Sequence, residues 1–257
     1  MQIGILDGSL NLPWEKLFAE AARLGFDGVE LGVGQDYDKT KLWNAVGRRE
    51  LISLSQTSGV AIASICLHSY WHFSFASADA IVQKAAAKIA TDAASIASEL
   101  GAKNILIPIT HAKDVPDDKA KDRWIDRVRQ VAPTAEKAGV TFCLENVGQS
   151  FAKTAEQVAA IVNAIHSPAV KVYYDPGNAV SGGFDPIHEI TYLDQLIGQV
   201  HIKDNADLLG QGQVPIRDVI ASLKKIKYNG WLVFETRATA DPPKAQAANL
   251  AYLKSLL

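Results

Sequence analysis

The sequence predicts an α/β fold of the (β/α)8 TIM-barrel class, built as a single domain over residues 1–257. Three observations predict it. Short apolar runs alternate with helical segments from one end of the chain to the other. Eight such runs fit in 257 residues, the number and length that a closed barrel of parallel strands requires. No Pro/Gly/Ser-rich linker or low-complexity segment interrupts the alternation. A doubly wound open sheet is the structural alternative. It usually has fewer strands at this length, and the turn after the first run, ILDGSLNLPW, lacks the GxGxxG pattern that holds a phosphate in such folds.

The strands read, in order, as QIGILD (2–7), GVELG (28–32), AIASICLH (61–68), NILIPI (104–109), TFCLEN (141–146), VKVYYD (170–175), VHIKD (200–204) and WLVFET (231–236). Between the first two, WEKLFAEAARLG (14–25) places apolar residues at helical spacing, with Gly25 positioned to end the helix. An Ala-rich helix runs from a cap at Ser77 to Leu100 and stops at Gly101. Residues 117–138 line up Trp124, Ile125, Val128 and Val131 on one stripe and end at Gly139. Shorter helical patterns follow each of the last four strands.

Composition narrows the function classes. Hydrophobic residues make up 48% of the chain, and a formal charge of −2 gives no sign of a polyanion-binding face. Cys66 and Cys143 lie inside apolar runs and read as buried free thiols of a reducing compartment. MQIGILDGSLNLPW lacks the basic start and long apolar core of a signal peptide, and no stretch approaches the roughly 18 apolar residues of a membrane span. The expectation is a soluble, cytoplasmic protein that binds neither nucleic acid nor membrane.

In a barrel of this kind, functional side chains sit at the C-terminal ends of the strands and point inward. Period-two alternation then sends Trp231, Val233 and Glu235 of the eighth strand into the barrel. It does the same for Cys66 and His68 of the third, Cys143 and Glu145 of the fifth, Tyr173 and Asp175 of the sixth, and His201 and Lys203 of the seventh. Four adjacent strands therefore present Glu145, Asp175, His201 and Glu235 at one end. Three carboxylates in one cavity repel one another unless a cation neutralises them. Three acids and an imidazole suit a hard-leaning divalent ion, Mn²⁺ foremost, with Mg²⁺, Co²⁺ and Zn²⁺ as alternatives. Singly, each acid reads as a helix cap or a lysine's partner; four such groups on adjacent strands read as a metal site.

With these residues in place, the chain resembles the xylose isomerase-like TIM-barrel superfamily, in its sugar (or sugar-phosphate) isomerase/epimerase branch. GFDGVEL (25–31) is similar to that branch's second strand. LENVG, YYDPGN, HIKD and FET resemble its four metal strands, in order, at spacings of 30, 26 and 34 residues. GQGQVP (210–215) resembles its glycine-rich turn before the seventh helix. The resemblance covers essentially the whole chain. It implies a ketose 3-epimerase-like site in which Glu145 and Glu235 both bind metal and move protons, with Asp175 and His201 as further ligands. It also implies a small sugar or sugar phosphate as substrate, and a homodimer or homotetramer as assembly. The chemistry is coherent by itself. A divalent ion chelated by a ketone oxygen and its neighbouring hydroxyl stabilises the enediolate left when the intervening proton departs. Returning a proton to the opposite face epimerises the carbon; returning it to the adjacent carbon isomerises the sugar. One position departs from the pattern: several ketose epimerases have a histidine three residues after the aspartate, and Asn178 stands there. Its amide can hydrogen-bond a substrate oxygen but cannot shuttle a proton at neutral pH.

Further candidates surround this set. Arg237 lies two residues past Glu235, roughly 7 Å further toward the mouth, placed to grip a substrate hydroxyl, phosphate or carboxylate, or to pair with a loop acid. Lys203 stands two past His201 as a partner for a ligand carboxylate or a substrate contact. LHSYWHFSF (67–75) offers His68 to a hydroxyl or to ring opening, and Trp71 to the C–H face of a sugar. The competing reading has Tyr70, Trp71 and Phe73 sealing the barrel mouth or packing at a dimer contact. Glu30 shares the inward phase and is either a partner of the metal ligands or a cap. His111, His166 and His188 fall in loops or helices and are expected to be solvated.

Three other functions compete. An inosose-type dehydratase would use the same metal and base to eliminate water. Type IV AP endonucleases share the barrel but need more strand-end histidines and a basic face, which six histidines in all and a net charge of −2 do not supply. A catalytically silent sugar-binding barrel would have no need of both glutamates.

Overall fold

Eight short strands with branched and aromatic outward faces cannot leave an edge unpaired, and here none does. The computed structural model describes residues 1–148, 150–206, 208–237 and 239–257. The strands are β1 (Gln2–Leu6), β2 (Gly28–Gly32), β3 (Ala61–Cys66), β4 (Asn104–Pro108), β5 (Thr141–Glu145), β6 (Val170–Tyr174), β7 (Ile197–Ile202) and β8 (Trp231–Phe234). All pair in parallel with their chain neighbours, and β8 pairs with β1, so the sheet closes into a barrel.

The helices are α1 (Asp7–Leu10), α2 (Trp14–Leu24), α3 (Ala45–Ser58), α4 (Ala80–Leu100), α5 (Asp117–Ala138), α6 (Ala155–Ile165), α7 (Pro176–Ser181), α8 (Pro186–Leu193), α9 (Ile216–Lys225) and α10 (Pro242–Lys254). Their apolar stripes cover the outer face of the barrel, where outward residues such as Ile5, Leu31, Ile65, Phe142, Val172 and Phe234 are buried with α5's Trp124 and Val128 in one core. A second, smaller core fills the barrel itself. It is formed by Leu6, Cys66, Leu106, Cys143, Tyr173 and Val233, with Trp231 packed against it. The inward phase read from sequence for Cys66, Cys143, Tyr173, Trp231 and Val233 therefore holds. Both cysteines are buried and free. Among the described residues, no helix is long and apolar enough to cross a membrane.

Most strands end one or two residues before the sequence reading, and three differences bear on the packing around the site. β7 begins at Ile197 rather than 200, although Gly198 is a poor strand former. A side chain at Gly198 would stand 2.8 Å from the Cys143 sulfur, so close packing explains the glycine, and Gln199 finds its partners inside the barrel. β3 stops at Cys66, which leaves His68 in a short 3₁₀ turn (His68–Trp71) at the mouth. α4 starts at Ala80, not at Ser77. Asp79 is its cap, accepting from the backbone of Ile81 and Val82, while the Ser77 hydroxyl donates to Asp114.

Two register irregularities interrupt the ladders. Val29 and Glu30 face Ile62 and Ser64, skipping Ala63; Val172 and Tyr173 face Ile197 and Gln199, skipping Gly198. Both place polar residues inside the barrel, directly beneath the site.

Phe234, fully buried one residue before Glu235, meets Phe26 edge-to-face at 5.3 Å. Phe234→Ala is expected to lower unfolding free energy by about 3–5 kcal/mol, through lost burial and the cavity left behind, as measured by urea denaturation.

Candidate metal centre

The ends of β5 to β8 are held level by ordinary strand pairing carried one residue past the sheet. The Glu145 carbonyl accepts from Ile109 N–H at 3.2 Å, and Glu235 N–H donates to the Ile202 carbonyl at 3.1 Å. Asn146 locks the next pair of tips. Its side-chain oxygen accepts from Asp175 N–H at 2.9 Å, and its amide donates to the Asp175 carbonyl at 3.0 Å. With backbones fixed in this way, the inward phase brings Glu145, Asp175, His201 and Glu235 together, each offering one ligand atom within 4.8 Å of the others. The hub is His201 Nδ1, which lies 3.2 Å from Glu145 Oε1, 3.5 Å from Glu235 Oε2 and 3.9 Å from Asp175 Oδ2.

Asp175 divides its two oxygens. Oδ1 accepts from Asn178 N–H at 2.9 Å and so caps α7, while Oδ2 faces the cluster. Lys203 reaches in from the mouth to stand 2.7 Å from Asp175 Oδ2 and 2.6 Å from Glu235 Oε2. Gly177 makes that reach possible, because a Cβ there would sit 2.5 Å from the Lys203 stem.

Charge is concentrated and nearly dry. Glu30, Glu145, Asp175 and His201 are buried, and only Glu235 and Lys203 keep a quarter or so of their side-chain surface open. Burial, with the charges of Glu235 and Asp175, pushes the Glu145 carboxyl up to about 7 against the pull of His201. Burial acts the same way on Glu235, but the charges of His201 and Lys203 overcome it and hold that carboxyl down at about 2. Burial alone would lower the His201 imidazole; the surrounding carboxylates, Glu235 and Glu30 foremost, raise it well above its ordinary value. Four carboxylates face two cationic side chains, an excess of negative charge that a divalent ion would neutralise.

The donor set fits such an ion. Asp175 Oδ2 is buried and accepts no aligned hydrogen bond, although Lys203 stands beside it. His201 turns Nδ1 to the three carboxylates and Nε2 away from them, to Glu30 at 2.9 Å. Bonds of about 2.1 Å separate two ligands by roughly 3–4.2 Å, so the observed spread closes onto a cation with small movements. Three oxygens and one imidazole suit Mn²⁺, Mg²⁺, Co²⁺ or Zn²⁺.

A cavity of about 410 Å³ opens over the cluster, lined by His68, Trp71, Glu145, Val147, Gly148, Asn178, Lys203 and Glu235. Of the further candidates, His68, Trp71, Asn178 and Lys203 are thus gathered at one mouth. Trp71 is 45% exposed, an indole face offered to solvent. The Asn178 amide donates to the Asn146 carbonyl at 2.8 Å, which leaves its oxygen for another donor. Arg237 is exposed at the rim and does not line the cavity. His111, His166 and His188 are exposed.

Two residues at the strand tips escaped the sequence reading. Asn146 looks like loop chemistry following an acid. Asp7, at the tip of β1, accepts from the Trp14 indole at 2.6 Å and from Gly8 and Gly32 N–H; burial pushes its carboxyl up, and these hydrogen bonds, Trp14's foremost, oppose it. Its signal was the one used elsewhere, an acid ending a strand. The GQGQVP segment forms a turn around Asp204, whose carboxylate accepts from the backbone N–H groups of Asn205, Gly210, Gly212 and Val214.

Known proteins of the same build carry this arrangement of strands. The Escherichia coli (strain K12) protein named "Putative L-ribulose-5-phosphate 3-epimerase SgbU" is 26% identical over 91% of this chain and 88% of its own. D-psicose 3-epimerase of Ruminiclostridium cellulolyticum is 25% identical over 91% of this chain and 83% of its own. The crystal structure of D-psicose 3-epimerase with D-tagatose from Clostridium cellulolyticum H10 superposes with a TM-score of 0.87 at 21% identity, covering 100% of this chain and 99% of that one. The profile of the xylose isomerase-like TIM barrel family matches residues 18–256. The chain belongs to that family.

Proposed function

We propose that this protein is a divalent-metal-dependent sugar or sugar-phosphate epimerase or isomerase that works by proton transfer at a carbon next to a ketone. One observation carries the reading. Glu145 and Glu235, from strands that are not neighbours, enter one cavity on either side of Asp175 and His201. The names of the relatives support it, since they include ketose 3-epimerases, free and phosphorylated.

A divalent cation, when bound by Glu145, Asp175, His201 and Glu235, supplies positive charge for the ketone oxygen and adjacent hydroxyl as negative charge develops on them. The chain's own residues do the rest. A glutamate on one side takes the proton from the carbon beside the ketone, and the C–H electron pair passes to the carbonyl. The glutamate opposite delivers a proton to the other face, so the configuration inverts with no net change in atoms. In the reverse direction the two exchange roles. Lys203 holds Glu235 in place by its ion pair and, with His201, favours its ionised form. Trp71 gives the sugar an apolar face and excludes water, while His68 and Asn178 offer hydrogen bonds to its hydroxyls.

Relatives also include inosose dehydratase of Geobacillus thermodenitrificans, 23% identical over 90% of this chain. The same base with loss of water in place of proton return gives that outcome, and the product distinguishes the two.

Incubation in D₂O with ketoses, ketose phosphates and inososes, with and without chelator, is expected to place deuterium at one carbon beside the ketone. Chelator should abolish exchange and added Mn²⁺ restore it. Exchange that survives complete metal removal sinks the metal-dependent reading, and a dehydrated product moves the assignment to the lyase.

Glu235→Gln is expected to cut exchange by about 10²–10⁴-fold or more while circular dichroism remains that of the parent. Turnover close to the parent's would remove Glu235 from its role.

Binding is strengthened when Glu145 is ionised and needs His201 Nδ1 free of its proton, and both groups hold protons more tightly than usual. Mn²⁺ affinity should therefore rise as pH increases through about 7 and fall below it, with protons released on binding. Titration calorimetry in two buffers of different ionisation enthalpy reads that release directly.

A further inference from the structure

Glu30 is wholly buried inside the barrel, an unusual place for an ionisable side chain with no cap to make. It lines no part of the cavity and lies on β2, away from the four strands that build the centre. Each of its oxygens is nevertheless employed. Oε1 is 2.9 Å from His201 Nε2. Oε2 accepts from the Ser64 hydroxyl at 2.5 Å and from the Tyr173 hydroxyl at 2.9 Å.

The direction of these bonds is fixed from below. Asn104 donates its amide to Gln199 Oε1 at 2.6 Å, which turns the Gln199 amide nitrogen toward the other side. That nitrogen donates to Ser64 Oγ at 2.7 Å and to the Tyr173 hydroxyl at 2.9 Å. Having accepted there, both hydroxyls give their own protons to Glu30. Two hydroxyls donating to Oε2 stabilise Glu30 as an ionised carboxylate, and an ionised Glu30 can only accept at Oε1, which assigns the proton between it and His201 to Nε2. The two register irregularities of the barrel bring about this arrangement, because they seat Ser64 beside Glu30 and Gln199 beside Tyr173.

We infer that Glu30 is a positioning residue: the Asn104–Gln199–Ser64/Tyr173 relay fixes it as an acceptor, and it in turn fixes the His201 imidazole with Nε2–H inward and the Nδ1 lone pair toward the cluster of Glu145, Asp175 and Glu235. The inference rests on the metal reading of that cluster and adds to it the group that makes one nitrogen, and not the other, the ligand. Ordinary packing would not need a carboxylate here. An ion ligand does, because an imidazole free to exchange tautomers presents N–H to the cation part of the time.

Glu30→Gln keeps the shape but puts an amide N–H₂ where only acceptors fit, so one of its faces meets a donor. The expected result is Mn²⁺ affinity about 10–100-fold weaker than the parent's by titration calorimetry, with the circular dichroism spectrum retained. In ¹⁵N-histidine spectra of the Mg²⁺-loaded parent, His201, assigned by its loss in His201→Gln, should show a protonated Nε2 slow to exchange with solvent and an unprotonated Nδ1. In Glu30→Gln that pattern should be lost or reversed. Tyr173→Phe, which removes one donor and leaves Glu30, should weaken binding by only a few-fold.

A Glu30→Gln variant that binds Mn²⁺ within about twofold of the parent overturns the inference alone. A parent spectrum with the proton on Nδ1 also overturns it, and needs no variant to fold. A parent that binds no divalent ion at all overturns the metal reading first and this inference with it.

Discussion

Repulsion between carboxylates is the constraint around which the upper half of this barrel is organised. Glu145, Asp175 and Glu235 converge with Glu30 close behind, in surroundings from which water is almost excluded. Such a group of acids is stable only if protons, cationic side chains or a bound cation balance it. In the protein alone the balance is visible in three places. Glu145 keeps its proton to unusually high pH, His201 acquires one, and Lys203 is drawn between two carboxylates. Each substitute is displaceable, which is what a binding site for a divalent ion requires.

Holding these groups against their repulsion takes a rigid frame, and the frame is built from single-atom divisions of labour. Asp175 caps a helix with one oxygen and faces the cluster with the other. Asn146 clasps the backbone of the neighbouring strand tip with both ends of its amide. His201 spends one nitrogen on Glu30 and the other on the centre. In every case the second contact removes a freedom that the charged group would otherwise use to move away. Preorganisation of this kind is what the proposed proton transfer at a weakly acidic C–H bond requires, because groups already in place need not rearrange first.

The barrel interior is correspondingly mixed. Cys66, Leu106, Cys143 and Val233 fill it with small or branched apolar groups, and the Glu30 network runs through the same space. The polar groups remain there because each is satisfied by another, down to Asn104 near the opposite end. The mouth is different in character. His68, Trp71 and Asn178 stand on turns and a short helix rather than on strands, so much of the cavity rim is built from connecting segments.

Whatever depends on periodicity was legible in the chain alone. Alternating runs specified eight strands. The phase of each run then decided which of its residues point inward, and so it named Glu145, Asp175, His201 and Glu235 as a group. Gly25, Gly101 and Gly139 marked helix ends because only a left-handed residue closes them easily, and the structure has each there with positive φ. Tertiary structure decided whatever depends on a partner distant in the chain. Gly198 and Gln199 look like the end of a loop until Cys143 and the Glu30 network are beside them. Asp79 displaces Ser77 as a cap because Asp114, from another loop, occupies the serine. Glu30 itself reads locally as either a cap or a buried partner, and only closure of the barrel, 171 residues away at His201, settles which. Local spacing fixes direction, but hydrogen bonds and charge balance need both members of a pair in the same place, and only the folded chain supplies that.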